Sequence, residues 1–394
     1  MRLDSNIVPF TLHVRLTKAC NAKCTYCSSW QEDPSQKMSV DEYKKSLEFI
    51  LLMWNKNKIR VTNLSIEYVG GEILLLDISE LKEMVYMARN LFKSHGISVH
   101  DGAQSNLLSS SKKVTELFNL FNGRVGTSID SFTEQRRIGN SASKYRVFMM
   151  KRDKEIMHNG FSPTPAIFTM DNKSIEFTEQ QVLMASREGR NITIRPVFKG
   201  GCNIEPVTPE QVEKALIESL NAWFMKKNIV LEPIYSLLKK ILQQKFSYNQ
   251  SENMEFCAFQ SNCAERSMCI EPNGDLYVCQ EMADAGIGIL GNTINETWND
   301  ELWIKFYDRT RNLPLSCIKC EYLTVCHGGC MLKSIEDGNG LYGKSELCST
   351  WKSLFKEIEN KINSYGLINV VNWIERIEQK SKNIAISNQN IKAL

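Results

Sequence analysis

The chain has 394 residues, of which 42% are hydrophobic, so it is longer than one ordinary domain and can bury a substantial core. Its 48 Lys and Arg residues against 45 Asp and Glu residues give a formal charge of +3, which excludes the strongly basic surface that nucleic acid binding requires. The longest apolar run, residues 49–54, is too short to cross a bilayer, and the first residues lack a signal-peptide pattern. We therefore expect a cytoplasmic protein without a membrane or nucleic acid partner.

The first half of the chain alternates short β-branched or apolar runs with longer segments of helical periodicity, which is typical of parallel βα units. Between the first two strands a helix is expected to begin after Ser39, because Glu42 stands at capping-box spacing from it. The predicted fold class is α/β, with a partial (β/α)6 TIM-like barrel over residues 1–204. In such barrels chemistry gathers at the carboxyl ends of the strands. Six strands are predicted: Thr11–Leu16, Leu64–Val69, Ile97–Ala103, Arg124–Ile129, Ala166–Met170 and Ile192–Val197.

The remainder of the chain divides by composition into three parts. Residues 205–256 are predicted to form a helical bridge, residues 257–348 a small cysteine-rich domain, and residues 349–394 a C-terminal helix and tail. Inside the second part, Asn-Gly between two apolar runs predicts a β-hairpin. The bridge contains aromatic residues that either line a peptide groove or pack in the core, and their helical spacing favours the core. These residues are Trp223, Phe224, Tyr235, Phe246 and Tyr248.

Thirteen cysteines, an odd number at close spacings, suit metal or cluster binding in a reducing compartment better than a disulfide framework. Cys20, Cys24 and Cys27 follow the first predicted strand within eight residues. Iron-sulfur clusters normally have four thiolate ligands, so three thiolates leave one iron open to a small molecule. A zinc knuckle is the alternative interpretation of these three residues.

The CxxxCxxC spacing, with Tyr26 before the last cysteine, resembles the signature of the radical SAM superfamily. The resemblance implies a [4Fe-4S] cluster whose open iron binds S-adenosylmethionine, and reductive cleavage of that cofactor to a 5′-deoxyadenosyl radical that abstracts hydrogen from a substrate. It also implies that Glu72 accepts from the methionyl amino group and that Ser128 lies near the ribose. Taken alone, the Gly-Gly-Glu sequence also fits an ordinary turn, and Arg137 also fits a surface arginine. The implied cofactor-binding residues are Tyr26, Gly70, Gly71, Glu72, Ser128 and Arg137, and Asp130 is a candidate catalytic residue.

The C-terminal cysteines are similar in spacing to the SPASM domain of peptide and protein maturases. Resemblance to the sulfatase-maturing branch implies two auxiliary [4Fe-4S] clusters, and thus three clusters in all. Cys202 and Cys269 are left over, and Cys269 competes with Cys257 as a ligand. A pair of zinc ribbons is the alternative. The implied ligands are Cys257, Cys263, Cys279 and Cys330 for the first auxiliary cluster, and Cys317, Cys320, Cys326 and Cys348 for the second.

The leading hypothesis is a radical SAM/SPASM maturase that crosslinks or oxidises a residue in a ribosomally made peptide or protein. Its partners would be that substrate and an electron donor such as flavodoxin or ferredoxin. Sulfatase maturases typically carry an acidic residue after the cysteine corresponding to Cys279, where this chain has Gln280. The next carboxylates, Glu281 and Asp284, could replace it, and Glu281 is the candidate catalytic base, with an ordinary surface glutamate as the alternative. The alternatives are a sulfatase maturase that forms formylglycine, an enzyme that oxidises or epimerises a small molecule, and a non-catalytic zinc-binding interaction protein.

Overall fold

The computed structural model describes residues 7–29, 33–198, 205, 207–248, 257–260 and 262–390. Cys202, one of the two cysteines without an implied role, lies outside these residues. The described strands form one sheet in the spatial order β11-β10-β9-β8-β1-β2-β3-β4-β5-β6-β7. The strands are β1 Ile7–Arg15, β2 Arg60–Val69, β3 Ser98–Gln104, β4 Val125–Ser128, β5 Ala166–Met170, β6 Ile192–Pro196, β7 Leu231–Glu232, β8 Ser267–Ile270, β9 Asp275–Tyr277, β10 Gly291–Asn292 and β11 Thr297–Trp298.

Helices connect the strands and follow them to the C-terminus. None of the helices within the described residues is long and apolar enough to span a membrane. The helices are α1 Val40–Lys56, α2 Ile78–Ser94, α3 Ser111–Leu120, α4 Ala142–His158, α5 Thr178–Glu188, α6 Pro209–Lys226, α7 Ile234–Phe246, α8 Cys263–Arg266, α9 Gln280–Asp284, α10 Asp300–Tyr307, α11 Leu315–Ile318, α12 Leu323–Cys326, α13 Met331–Glu336, α14 Cys348–Tyr365 and α15 Leu367–Asn390.

Strands β1 to β6 are parallel neighbours in chain order, and a helix follows each of the first five. This arrangement confirms the predicted α/β fold class and the six predicted strands. The structure adds a seventh parallel strand, β7, which pairs with β6 through two residues. The sequence did not predict it, because a two-residue strand shows no periodicity.

The cysteine-rich part contains the predicted hairpin, in which β8 and β9 pair antiparallel and Gly274 adopts the positive φ that the turn requires. The hairpin does not stand apart from the barrel. Residues 11–14 of β1 pair in parallel with residues 267–270 of β8. Strand β8 therefore covers the backbone groups that β1 would otherwise leave unpaired at the edge of the barrel.

The outer face of the parallel sheet carries the apolar core. Ser39 and Glu42 form the predicted capping box at the start of α1. The side chains of Tyr43, Leu47 and Ile50 on this helix are buried in the core with the outward-facing residues of β1 and β2. Burial of this apolar face holds the helix against the sheet and leaves the inner face of the strands for a cavity.

The aromatic residues of the bridge belong mainly to a second core. Trp223, Phe224 and Tyr235 are buried, and the rings of Trp223 and Trp373 on α15 are 4.6 Å apart between centroids. Phe246 and Tyr248 are partly buried against the same core. The packing interpretation therefore holds for Trp223, Phe224 and Tyr235, and these three side chains do not line a peptide groove.

Candidate active site

A cavity of about 640 Å³ opens at the carboxyl ends of the barrel strands. Most of the site residues predicted in the barrel lie on its wall, although they come from the ends of three different strands, and Glu281 joins them from α9. This agrees with the rule that ligand sites of parallel barrels form at that edge. The predicted residues that line the cavity are Cys20, Cys24, Tyr26, Cys27, Gly70, Gly71, Ser128 and Glu281.

The loop that carries the three cysteines is held by the segment after β2. The backbone N–H of Gly71 donates to the carbonyl of Thr17 at 3.0 Å, and that of Glu72 donates to the carbonyl of Ala19 at 2.7 Å. A Cβ atom on Gly71 would lie 2.2 Å from the Ala19 oxygen, so only glycine permits this approach. The Gly-Gly pair therefore fixes the position of Cys20.

Glu72 is buried and does not line the cavity. Its carboxylate accepts from the backbone N–H of Leu74 at 2.9 Å, from the Ser105 hydroxyl at 2.7 Å and from the backbone N–H of Asn106 at 2.6 Å. Burial raises the pKa of this carboxyl, and the three hydrogen bonds oppose that effect. Glu72 thus joins the ends of β2 and β3, and its contact with a methionyl amino group stays a prediction.

A hydrogen-bonded chain forms the opposite wall. Arg136 donates to the hydroxyl of Tyr26 at 2.9 Å and to that of Tyr145 at 2.8 Å, and Tyr145 donates to the carbonyl of Ser128 at 2.6 Å. Arg136 is buried, lines the cavity and lies over the Tyr145 ring. Sequence reasoning missed it, because two adjacent arginines give no sign of which one points inward. The one available signal was Tyr26 in the cysteine motif, because its hydroxyl needs a hydrogen-bond partner and Arg136 provides it.

Arg137 and Asp130 lie in the same loop but do not line the cavity. The Arg137 side chain donates to the carbonyl of Glu134, and its own carbonyl accepts from the backbone N–H of Lys23 at 3.3 Å. The Asp130 carboxylate accepts from the backbone N–H and hydroxyl of Thr133. Both residues therefore order the loop that carries Arg136, and that loop in turn holds the cysteine loop.

The inner face of the first strands is polar where a packed barrel would be apolar. His13 on β1 is in register with Glu67 on β2 and with Cys269 on β8, while Glu67 is in register with Gly102 on β3. Ser65 donates to the Glu67 carboxylate at 2.9 Å. Interior layers of closed barrels are mostly Val, Ile and Leu. The polar layer here gives the cavity a floor of hydrogen-bonding groups.

Two charged side chains meet beside this floor. Arg195 on β6 donates to the carboxylate of Glu281 on α9 at 2.6 Å, and both line the cavity. Burial lowers the pKa of His13 to about 4, an effect that Glu281 opposes and the arginines Arg15 and Arg195 reinforce. His13 is therefore neutral at physiological pH, and its buried Nδ1 atom has no hydrogen-bond partner among the residues that the structure describes.

A buried ion-pair network joins the barrel to the hairpin region. The Arg15 guanidinium lies 3.1 Å from the carboxylate of Glu271 and 2.7 Å from that of Asp284, and Lys18 also pairs with Glu271. Arg15, Lys18 and Glu271 are nearly inaccessible to solvent. Because buried charges require such partners, the network fixes the cysteine loop relative to α9.

The cysteines of the first implied auxiliary set are neighbours. Burial raises the pKa of the Cys279 thiol, and the charges of Glu281, Cys257 and Cys330 raise it further. Burial likewise raises the pKa of the Cys330 thiol to about 12, with a contribution from Cys263. These mutual charge effects indicate that the four thiols lie near one another and near Glu281.

Cys269 lies elsewhere. It is buried on β8, and its sulfur is 3.7 Å from the carboxylate of Glu271, within the ion-pair network of Arg15. Its thiol is not among the main contributors to the pKa shifts of Cys279 and Cys330. This position favours Cys257 over Cys269 as the fourth member of the first auxiliary set.

The second implied set lines a smaller cavity of about 120 Å³, whose wall contains Cys317, Cys320, Cys326 and Cys348. Burial raises the pKa of the Cys326 thiol to about 12, and the three other thiols raise it further. Cys348 is the first residue of α14, where the helix dipole favours negative charge on a thiolate. This enclosed site is formed without any residue of the barrel.

Within the described residues, no three cysteine, histidine, aspartate or glutamate side chains converge closely enough to bind one metal ion. A cubane differs from a single ion, because each thiolate binds a different iron and the sulfurs surround the cluster instead of meeting at a point. Four thiols can also bind a single zinc ion, so the donor type does not separate the two; the spread of these thiols around a cavity is what fits the larger cluster.

No protein-family model matches the chain. Among curated proteins, the chain is 21% identical over 369 residues to the cysteine-type anaerobic sulfatase-maturating enzyme of Clostridium novyi, which covers 87% of this chain and 93% of that protein. It is also 21% identical over 370 residues to the radical SAM cyclopropyl synthase TigE of Paramaledivibacter caminithermalis, which covers 87% of this chain and 72% of that protein.

Solved structures show the same fold. Native anSMEcpe with bound AdoMet aligns with a TM-score of 0.66 at 18% identity, covering 92% of this chain and 100% of that one. Streptococcus suis SuiB bound to the precursor peptide SuiA aligns with a TM-score of 0.57 at 14% identity, covering 87% and 77%. Together with the sequence similarities, these alignments confirm the predicted resemblance to radical SAM enzymes with a SPASM domain. They also confirm the prediction that the chain is an enzyme of this kind.

Proposed function

We propose that the chain is a radical SAM/SPASM maturase that cleaves S-adenosylmethionine reductively and crosslinks or oxidises a residue in a ribosomally made peptide or protein. One observation carries the proposal: Cys20, Cys24 and Cys27 open onto the same cavity as Glu281, which adjoins the first auxiliary set of cysteines. A radical generator and an electron-transfer site would then face a shared substrate space.

In this proposal Cys20, Cys24 and Cys27 hold a [4Fe-4S] cluster with one open iron. When bound, that cluster and S-adenosylmethionine supply an electron and a 5′-deoxyadenosyl radical, respectively. The backbone of Gly70 and Gly71 accommodates the cofactor closely, since neither residue has a side chain there. The remaining chain groups orient it, and we assign this role to Tyr26, Ser128 and Arg136, with Glu72, Asp130 and Arg137 holding the surrounding loops.

The other two clusters would be fully ligated by protein thiolates, one by Cys257, Cys263, Cys279 and Cys330, and one by Cys317, Cys320, Cys326 and Cys348. Full ligation favours electron transfer over direct binding of substrate to iron. We retain Glu281 as the proposed catalytic base, because its carboxylate lies in the cavity beside the first auxiliary set. Arg195 positions that carboxylate.

A peptide substrate is supported by two features. SuiB was solved with the precursor peptide SuiA. The enzyme anSMEcpe was solved with the peptide Cp18Cys, and that structure aligns with this chain with a TM-score of 0.65 at 17% identity. The cavity of about 640 Å³ is within the range that binds small molecules or side chains, and its polar floor offers hydrogen bonds to a peptide. A flavodoxin or ferredoxin would supply the electron.

The experiment has two parts. Anaerobically reconstituted protein should contain about twelve irons per chain, as three cubanes require, and should release 5′-deoxyadenosine under strong reductant. Coexpression with a short Cys-, Ser- or Thr-containing reading frame beside this one should then produce a mass change in that peptide. Zinc without iron would exclude every enzyme interpretation and leave a zinc-binding interaction protein.

A sulfatase maturase is the second candidate, because the chain is similar in sequence to such an enzyme along 87% of its length. Gln280, which follows Cys279, weakens this candidate, since the neutral amide cannot accept the proton of a substrate thiol or hydroxyl. Incubation with a sulfatase-derived cysteine peptide separates the two candidates. A mass change that corresponds to formylglycine would establish the second candidate in place of the first.

A further inference from the structure

The small cavity of the second auxiliary set lies under an apolar surface. Helix α11 carries Cys317, which is buried, between Leu315 and Ile318, whose side chains are 62% and 55% exposed. Single exposed apolar side chains are common on protein surfaces, but two on one helical turn form a small patch. No described residue packs over them closely enough to bury them.

Exposed lysines surround the same site. Lys344 and Lys352 line the cavity beside the four cysteines, and Lys319 directly precedes Cys320. Lys352 stands one helical turn after Cys348 on α14, so both face the cavity. We call the surface formed by Leu315, Ile318, Lys319, Lys344 and Lys352 the α11 face.

The positive charge of the α11 face is not neutralised by ion pairs within the described residues. Two of the nearby acids are paired with other lysines: Glu321 pairs with Lys245 at 3.2 Å, and Glu359 pairs with Lys245 and Lys356. Glu346 is exposed between Lys344 and Lys352 in the sequence and is the only acid in that interval. Three cations therefore face solvent around an apolar centre.

We propose that the α11 face is the docking site of a small acidic one-electron carrier protein, such as a flavodoxin or ferredoxin. The inference rests on the proposed function, because it requires a cluster at Cys317, Cys320, Cys326 and Cys348. The lysines complement an acidic partner and accelerate its encounter, while Leu315 and Ile318 provide the apolar contact that a small transient interface requires. One electron passes from the reduced carrier to the cluster; the carrier is oxidised by one electron, and no covalent bond changes.

The lysines also have a local electrostatic effect, since the charge of Lys344 lowers the pKa of the Cys317 thiol against the larger effect of burial. Charge compensation alone would act on cluster content and reduction potential. It would leave the rate of reduction by a protein carrier independent of ionic strength. It would also give no reason for the exposure of Leu315 and Ile318, which are uncharged.

The test replaces Lys319, Lys344 and Lys352 by glutamate in the full-length, cluster-loaded protein. Stopped-flow spectroscopy measures the second-order rate constant for oxidation of reduced flavodoxin by wild type and variant at low and high salt. We expect the variant to be slower by at least about tenfold at low salt, with the difference diminishing as salt screens the charges. The endpoint yield of 5′-deoxyadenosine under titanium(III) citrate should match that of wild type.

A matched control reverses Lys44, Lys56 and Lys151, which are 58%, 48% and 78% exposed on helices α1 and α4 of the barrel and carry the same total charge. This control should keep the wild-type rate constant within about twofold, because a charge far from the docking site changes the rate of encounter less than a charge within it. A second variant, Leu315→Ser with Ile318→Ser, should lower the rate at both low and high salt, because an apolar contact is not screened.

The outcomes separate the two proposals. If wild type gives no 5′-deoxyadenosine with titanium(III) citrate, the proposed function fails. If wild type does form it, the docking proposal is overturned by any of three results: an unchanged flavodoxin rate constant in the lysine variant, an equal loss in the control, or no reduction of wild type by either flavodoxin or ferredoxin.

Discussion

The N-terminal cysteine site and the second C-terminal set differ in the number of their thiols and in the volume of the cavity beside them. The N-terminal site has three thiols on one loop beside a cavity of about 640 Å³, whereas the second C-terminal set has four thiols around a cavity of about 120 Å³. An incomplete donor set beside a large cavity leaves room for a ligand and a substrate. A complete set around a small cavity leaves room for a cluster alone. In the proposed function this difference assigns the radical chemistry to the first site and electron transfer to the second.

The largest effects that distinguish the two sites are expected when the cysteines of each are replaced. Replacing Cys20, Cys24 and Cys27 by alanine should eliminate about four irons per chain and reduce 5′-deoxyadenosine below detection, since no open cluster remains. Replacing Cys317, Cys320, Cys326 and Cys348 should also eliminate about four irons but preserve cofactor cleavage under titanium(III) citrate. Iron analysis and chromatography measure both quantities. Cofactor cleavage by the first variant would refute the assignment of the open site.

The Gly71→Ala substitution acts on the open site through its backbone. The new Cβ would meet the Ala19 oxygen at 2.2 Å, so the Cys20 loop must move away from its position. We expect a loss of about four irons per chain and of cofactor cleavage, with the auxiliary clusters retained. Gly338→Ala is the control: its φ of +78° strains an alanine, but its Cβ would meet nothing within 4 Å, so it tests backbone strain without a clash against the cysteine loop. Equal losses in both variants would show that the effect is not local to the cysteine loop.

The ion-pair network tests how firmly the two regions are joined. Arg15→Leu leaves the carboxylates of Glu271 and Asp284 without their guanidinium and should reduce the free energy of unfolding by about 3 kcal/mol. Lys56→Ala, which removes an exposed pair with Asp300, should cost less than about 1 kcal/mol. Anaerobic urea denaturation measures both. A cost for Arg15→Leu as small as that for the control would mean that the network does not couple the barrel to the hairpin.

The smallest expected effect is a pH dependence from His13. Because its folded pKa is lowered from 6.5 to about 4, the unfolded state binds the proton more readily between these values. The folded state is favoured most above pH 6.5, where His13 is neutral in both states. The free energy of unfolding then falls as the pH decreases from 6.5 toward 4, because the unfolded state gains the proton first. Between pH 7.5 and 5.5 the loss should be about 1 kcal/mol. Comparing urea denaturation at the two pH values in wild type and His13→Gln isolates this contribution, and an unchanged pH dependence in His13→Gln would refute it.

Much of the barrel was predictable, because its strands and helices repeat a local pattern. The β5 strand has the predicted bounds, and α1 begins at the predicted capping box. The pairing of β8 with β1 was not predictable, since two strands more than 250 residues apart show no common signal in one sequence. The same limit applies to Arg15, whose partners come from the hairpin region and α9.

Within the candidate site, spacing identified the cysteines because cluster ligands on one loop are close in sequence. Side-chain direction decided the rest. Arg136 enters the cavity while Arg137 does not, and Glu72 turns into the protein beneath the loop. Neither orientation follows from residue type, because each depends on which neighbour offers a hydrogen bond.

The sequence by itself therefore predicted the kind of chemistry, because it depends on the spacing of thiols. That spacing can be read directly from residues that are close together along the chain. Only the tertiary structure decided what surrounds the thiols, including the polar floor formed by His13 and Glu67 and the lysines of the α11 face. These groups become neighbours through strand register and helix packing, which bring together residues from distant parts of the chain.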